Sequence, residues 1–325
     1  MNLGFWGTVQ KPIIVLAPMA DVTDSAFRRV IAKYGKPDVM WTEFVSADGI
    51  ALADVEGRSK LMRDLVYTEA ERPIVAQFFS PDPDRMREAA TLGRELGFDG
   101  IDLNMGCPDK NICKQGSGAA MIRTPEKAVA VIRAAKEGAG DLPVSVKTRV
   151  GYSSDTEMEA WVRALLAEDI AVLTLHARTK KEMSKVPARW ELIKRAVEIR
   201  DEMGVQTLIF GNGDVASVAD AKQKVVETGC DGVMLGRAIF GNPWLFSKKE
   251  EGLSVEEKIS VLIEHTNLFE ELLGDIKNFA LMKKHFKAYL QGFDGAKELR
   301  ARLMEKNTAE EVEAVLLDFL KTYTE

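Results

Sequence analysis

The residues able to do chemistry cluster at a few points of this 325-residue sequence. Cys107 follows Asn104-Met105-Gly106 and precedes Pro108. A free cysteine is ordinarily buried packing, but Gly and Pro on either side describe a shaped, exposed turn in which a thiol can serve as an acid. The run Gln115-Gly116-Ser117-Gly118-Ala119-Ala120 reads as a flexible segment able to close over a substrate. Cys113 and Cys230 lack neighbours that suggest a partner and read as bystanders. Lys147 ends an apolar run, where an ammonium is costly unless it meets an anion or an electron-rich ring. His176, with Arg178 two residues on, closes another such run and reads as a ligand contact. Gly211-Asn212-Gly213-Asp214 and Leu235-Gly236-Arg237 offer backbone N–H groups and a guanidinium fork suited to a phosphate. The plainer alternatives are tight turns for these glycines, a buried ion pair for Lys147 and an amide satisfied by loop backbone for Gln77.

The elements that must position these groups follow from the pattern of apolar runs. Eight β-branched or apolar stretches recur: Ile13–Ala17, Val39–Thr42, Ile74–Phe78, Gly100–Leu103, Val144–Thr148, Val172–Leu175, Thr207–Phe210 and Gly232–Leu235. Amphipathic stretches such as Asp24–Lys33, Pro83–Leu96, Pro125–Lys136, Asp155–Glu168, Trp190–Met203 and Val218–Glu227 separate them. Repeated strand–helix units imply parallel strands with right-handed crossovers, and eight of them predict a TIM (β/α)8 barrel over residues 1–247. Cys107, Lys147, His176, Arg178, Asn212 to Asp214, Gly236 and Arg237 then fall at the strand ends where such barrels keep their active sites, with the phosphate site after strands seven and eight. Residues 248–325 show only helical periodicity, over 254–273, 275–289, 296–305 and 309–322, and predict a small C-terminal helical domain. Lys277, Lys283, Lys284, Lys287, Lys297, Arg300, Arg302 and Lys306 crowd one part of it and predict a basic side. His265 and His285 fall in its helical stretches and read as surface or packing residues.

Composition narrows the class. Charged residues make up 29% and hydrophobic ones 46%, an ordinary globular balance. No apolar run approaches the roughly 20 residues of a membrane span, and Met1 to Lys11 has no leader pattern, so a cytoplasmic protein is expected. Three cysteines without CxxC spacing predict neither disulfides nor a metal site. The net charge of −6 disfavours general affinity for nucleic acid and demands a local basic face for any such partner.

Taken in order, Ala17-Pro18-Met19 with Val22-Thr23-Asp24-Ser25-Ala26-Phe27-Arg28, Asp102 to Pro108, Gln115 to Ala120, Val146-Lys147-Thr148-Arg149, His176-Ala177-Arg178-Thr179 and Gly211-Asn212-Gly213-Asp214 resemble the bacterial tRNA dihydrouridine synthases. Leu235-Gly236-Arg237, Gly241-Asn242-Pro243-Trp244 and the stretch from Lys284-His285-Phe286 to Arg300 extend the resemblance over essentially the whole chain. It implies bound FMN, NADPH as reductant, hydride transfer from flavin N5 to C6 of a tRNA uracil, and Cys107 as the proton donor to C5. It implies further that Pro18, Met19, Ala20, Gln77, Lys147, Asn212, Gly213, Asp214, Gly236 and Arg237 hold FMN. Asn104, His176 and Arg178 would line the flavin and the uracil, and Lys283, Lys284, Lys287 and Arg300 would grip the tRNA backbone. A monomer is expected. Two departures stand out: Asp21 where the family often has Gly, and a 180–190 stretch lacking the familiar Gln and Gly before Ala188-Arg189-Trp190.

Two other functions fit parts of the pattern. One is a small-molecule pyrimidine reductase of the dihydroorotate dehydrogenase type, which the basic helical extension disfavours. The other is a tRNA-binding factor with little catalysis, which an intact Cys107 and Lys147 disfavour.

Overall fold

The computed structural model describes residues 2–247 and 253–323. All eight apolar runs form strands: β1 (Ile13–Leu16), β2 (Met40–Ser46), β3 (Ile74–Phe79), β4 (Gly100–Met105), β5 (Val144–Gly151), β6 (Val172–Thr179), β7 (Leu208–Asn212) and β8 (Gly232–Leu235). Helices α1 (Ser25–Tyr34), α2 (Ala47–Leu52), α3 (Val55–Arg63), α4 (Pro83–Glu95), α5 (Lys110–Lys114) and α6 (Pro125–Ala139) lie between the first five. Next come α7 (Met158–Leu166), α8 (Trp190–Met203) and α9 (Val218–Thr228), and after β8 α10 (Val255–Leu273), α11 (Lys283–Tyr289), α12 (Ala296–Met304) and α13 (Ala309–Thr322).

The strands pair in parallel in the order β1-β8-β7-β6-β5-β4-β3-β2, giving a TIM-like α/β sheet. Its two ends meet at Asp38, whose N–H donates to the Ile14 carbonyl at 3.0 Å and whose carboxylate accepts from the Ile14 N–H at 2.7 Å. Curling is evident from the interior: the Trp6 ring lies 5.7 Å from Trp41 on β2 and 5.6 Å from Phe210 on β7, so one indole joins strands distant in the order. Strands buried on both faces read as unbroken apolar runs, which is why all eight were visible in the sequence.

Helix starts follow side-chain caps. Asp24 accepts from the Phe27 N–H at 2.9 Å, and Ser254 with Glu257 forms a reciprocal capping box on α10. Helix α2 is only six residues long and α3 buries none of its residues, so neither gave a periodic signal; Ser46 and Asp54 cap them all the same. The expected single helix over 275–289 is broken instead into a 3-10 turn, Phe279–Met282, followed by α11.

The expected boundary between 247 and 248 abuts residues outside those described. The helices beyond it pack on the barrel through α1: Lys33 pairs with Glu264 at 2.8 Å, and Phe27 stacks on His265 with centroids 4.7 Å apart. His265 and His285 are buried packing residues of that junction. Lys277, counted above toward a basic side, is instead inserted between Glu43 at 2.6 Å and Asp64 at 2.9 Å. Burial pushes the Glu43 carboxyl up and its Lys277 partner pulls it down, the balance lying at about 7, and this lysine anchors the extension to β2 and α3. Among the described residues no helix is long and apolar enough to cross a membrane.

Candidate active site

A cavity of about 760 Å³ opens at the carboxyl ends of the strands. Its lining comes from the segment after β1 (Ala17, Pro18, Met19), from β5 (Lys147, Arg149), β6 (His176, Arg178), the loop after β6 (Met183, Ser184), the end of β7 (Asn212) with its following turn (213–216), and the turn after β8 (236–238). Alternation along a strand puts Lys147 with Arg149, and His176 with Arg178, on common faces.

The lining carries four cations, Lys147, Arg149, Arg178 and Arg237, and a single carboxylate, Asp214, within a chain of net charge −6. Asp214 is held below the usual carboxylate range chiefly by its bond from Arg178; it also accepts from Arg237 at 3.0 Å and from the Ala188 N–H at 3.0 Å. Arg149 donates to the carbonyls of Gly106 at 2.9 Å, Thr179 at 3.2 Å and Met183 at 3.3 Å, and burial lowers it to about 10. Lys147 is lowered to about 8, first by burial and then by Arg149, and its ammonium has no hydrogen-bond or ion-pair partner among the described residues. Burial, reinforced by Arg149, Lys147 and Arg178, drives His176 far below its ordinary value, so the imidazole is neutral.

Local packing fixes the turn after β7. A Cβ on Gly211 would lie 2.2 Å from the Trp190 ring, and that indole donates to the Gly213 carbonyl at 2.9 Å. Gly213 itself adopts φ 125° and Asp214 φ 52°, a backbone path that lifts Asp214 between its two arginines. Asn212 donates to the Met234 carbonyl at 2.7 Å, tying β7 to β8. Asp21 has φ 56°, which explains why glycine is at home there and why Asp, a tolerant residue in this region, can replace it.

Cys107 is partly exposed and lies one residue beyond Gly106, whose carbonyl Arg149 binds. Asn104 accepts from the N–H groups of Gly106 at 3.1 Å and Cys107 at 2.9 Å, while the Cys107 carbonyl accepts from the Ala119 N–H at 2.9 Å and the Cys113 thiol at 3.5 Å. Burial pushes the Cys107 thiol up, keeping it protonated at neutral pH. Two expectations are corrected here. The 115–120 segment is no loose lid: Ser117, Ala119 and Ala120 are buried, their small side chains letting the backbone pack on the Cys107 loop. Cys113 is no bystander, since its thiol braces that same loop.

The structure brings Pro18, Met19, Lys147, His176, Arg178, Asn212, Gly213, Asp214, Gly236 and Arg237 together around the cavity. Ala20 lies on an exposed turn beside it. Gln77 and Asn104 lie outside its lining, in a buried network in which Asn104 donates to Gln77 at 3.2 Å and Gln77 to Asp102 at 2.5 Å. Lys283, Lys284, Lys287 and Arg300 sit on α11 and α12; Arg300 donates to the Leu290 carbonyl and Lys283 to Asn307 at 3.3 Å, while Lys287 is exposed. Arg149, Met183 and Ser184 were not anticipated. Arg149 was legible, two residues past Lys147 on one strand face; the loop residues had no periodic signal.

A sequence model of the family described as dihydrouridine synthase matches residues 15–324. The chain is 41% identical over 324 residues to a probable tRNA-dihydrouridine synthase 2 of Bacillus subtilis (strain 168), covering 99% of this chain and 98% of that one. It is 40% identical over 320 residues to a probable tRNA-dihydrouridine synthase of Staphylococcus aureus (strain MRSA252), covering 98% and 96%. Among solved structures, a complex of 2-naphthoyl-CoA reductase with 2-naphthoyl-CoA superposes with TM-score 0.57 at 12% identity, over 78% of this chain and 51% of that chain, a likeness of fold.

Proposed function

The chain belongs to the dihydrouridine synthase family, and from that premise we propose that it reduces uridine in tRNA to 5,6-dihydrouridine with FMN bound in the strand-end cavity and NADPH as reductant. The observation that carries this reading is the Lys147 ammonium, set in a cavity whose four cations face one carboxylate and with no hydrogen-bond or ion-pair partner among the described residues. Such a site suits a ligand that brings a phosphate and an electron-rich ring together. Bound FMN supplies the hydride delivered to uracil C6.

The chain's own residues do the rest. Arg237 and the Gly213 and Gly236 turns receive the phosphate, as barrels do after their last two strands. Pro18, Met19, Ala20, Asn212 and Asp214 would complete the cofactor site, with Gln77 in the buried network beside Asn104, and Lys147 would stabilise negative charge on a bound ring. His176, held neutral, hydrogen-bonds without adding charge. Arg178 would contact the uracil, Asn104 holds the Cys107 loop, and Cys107, whose thiol stays protonated, would give its proton to C5. The base is flipped from the folded tRNA, at a cost of roughly a few kcal/mol. Residues 1–247 form the catalytic unit; residues 248–325 carry the tRNA through Lys283, Lys284, Lys287 and Arg300, in a cytoplasmic monomer. Incubation of the purified protein with FMN, NADPH and an unmodified tRNA transcript is expected to add the mass of two hydrogens to a uridine. A flavin-loaded protein that leaves every uridine unchanged in a complete set of transcripts contradicts the proposal.

A further inference from the structure

Three buried side chains connect the centre of the sheet to the Cys107 loop. Asp102 is 1% exposed, Gln77 0% and Asn104 8%. Strand register aligns them: Asp102 on β4 stands opposite Gln77 on β3 and Ser145 on β5, and Asn104 lies two residues along β4 on the same face as Asp102. Asp102 accepts from Ser145 Oγ at 2.5 Å and from Gln77 Nε2 at 2.5 Å. Gln77 Oε1 accepts from Asn104 Nδ2 at 3.2 Å, and Asn104 Oδ1 accepts from the N–H groups of Gly106 and Cys107 at 3.1 and 2.9 Å.

The direction of this chain is fixed at both ends, by backbone N–H groups that only donate and by a carboxylate that only accepts. A primary amide is a donor at one end and an acceptor at the other, and either orientation fits its shape. A carboxylate only accepts. Placed at the head of the chain, it forces the Gln77 nitrogen toward itself and the Gln77 oxygen toward Asn104. That agrees with the orientation the two backbone N–H groups require of Asn104, its nitrogen toward Gln77 and its oxygen toward them. Burial, the largest influence on Asp102, raises it to about 6, so it is ionised at neutral pH. In a water-poor interior an inverted link would oppose two donors, and buried networks of this kind hold one arrangement.

We propose that Asp102 is a positioning residue that locks, from the acceptor end, the hydrogen-bond polarity of Gln77 and Asn104 and thereby steadies the backbone of Cys107. The proposal rests on the reading of Cys107 as the acid for its consequence in catalysis, not for its geometry.

The test is residue-resolved amide hydrogen exchange on the purified protein. Asp102→Asn is expected to speed exchange at Gly106 and Cys107 by about tenfold or more while Leu103 is unchanged. Ser145→Ala, which removes a donor without reversing any link, is expected to leave both amides slow. Asp102→Asn combined with Gln77→Glu moves the carboxylate one link along and restores the polarity toward Asn104, so slow exchange is expected to return. Slow exchange in Asp102→Asn, fast exchange in Ser145→Ala, or fast exchange persisting in the double variant overturns the proposal. If Asp102→Asn alone does not fold, the double variant must fold with both amides protected, and its failure to do so counts equally against the relay. A wild-type protein inactive on tRNA would refute the acid and leave these exchange results standing.

Discussion

The His176 Nε2 atom lies 3.4 Å from the Arg178 guanidinium. An imidazolium could not tolerate that neighbour, and with Lys147 and Arg149 also bearing on the ring its charged form is strongly disfavoured. The cavity therefore concentrates positive charge while keeping its histidine neutral, an arrangement that awaits an anionic ligand.

Lys147→Met is the first prediction. Removing the ammonium is expected to weaken FMN binding by at least about tenfold, as loss of a charge-assisted contact would. Because burial lowers Lys147 to about 8, it stays charged at neutral pH at a cost to the fold, so the flavin-free variant is expected to melt no lower than wild type. Flavin titration and thermal melting check both; unchanged affinity contradicts the assignment.

Cys107→Ala is expected to retain FMN yet lose tRNA reduction by about a hundredfold or more, the scale of a missing general acid. Since burial raises the thiol, wild-type activity is expected to show no loss from thiol ionisation across the neutral range. Single-turnover rates against pH decide; a variant as fast as wild type removes Cys107 from the chemistry.

Gly211→Ala places a Cβ 2.2 Å from Trp190. Overpacking of this kind costs about 1–3 kcal/mol, and a displaced indole releases the Gly213 turn. Urea unfolding and FMN titration are expected to show lower stability together with weaker binding, and neither should change alone.

His265→Phe tests the buried junction with the C-terminal helices. His265 is held far below its ordinary value by burial, so only the unfolded chain takes up its proton as pH falls below about 6.5, and wild-type stability drains away there. Phenylalanine keeps the stack on Phe27 without that proton. The stability of the variant relative to wild type is expected to rise by about 1 kcal/mol between pH 7.5 and 5.5; a constant difference would mean the histidine is charged in the fold.

The sequence made the cavity readable where strand ends dictate geometry. Lys147, His176, Arg178 and Asn212 close apolar runs, and barrel topology alone directs such residues to one mouth. The basic stretch of the C-terminal helices read less well, because counting charges ignores which way each side chain points. Lys277 turns inward to Glu43 and Asp64, while Arg300 spends one N–H on the Leu290 carbonyl and stays part-exposed. Cys113 and the 115–120 segment were misjudged for a related reason. Small and glycine residues signal close packing as readily as freedom, and only the Ala119 N–H meeting the Cys107 carbonyl tells the two apart.

The central claim is that this cavity holds a flavin that turns over against tRNA, and the visible absorption spectrum of the purified protein reports on it directly. The account predicts oxidised-flavin bands that are bleached by NADPH and return, without oxygen, on addition of uridine-containing tRNA but not of free uridine. A colourless protein that cannot be reconstituted with FMN, or a reduced flavin indifferent to tRNA, would contradict it.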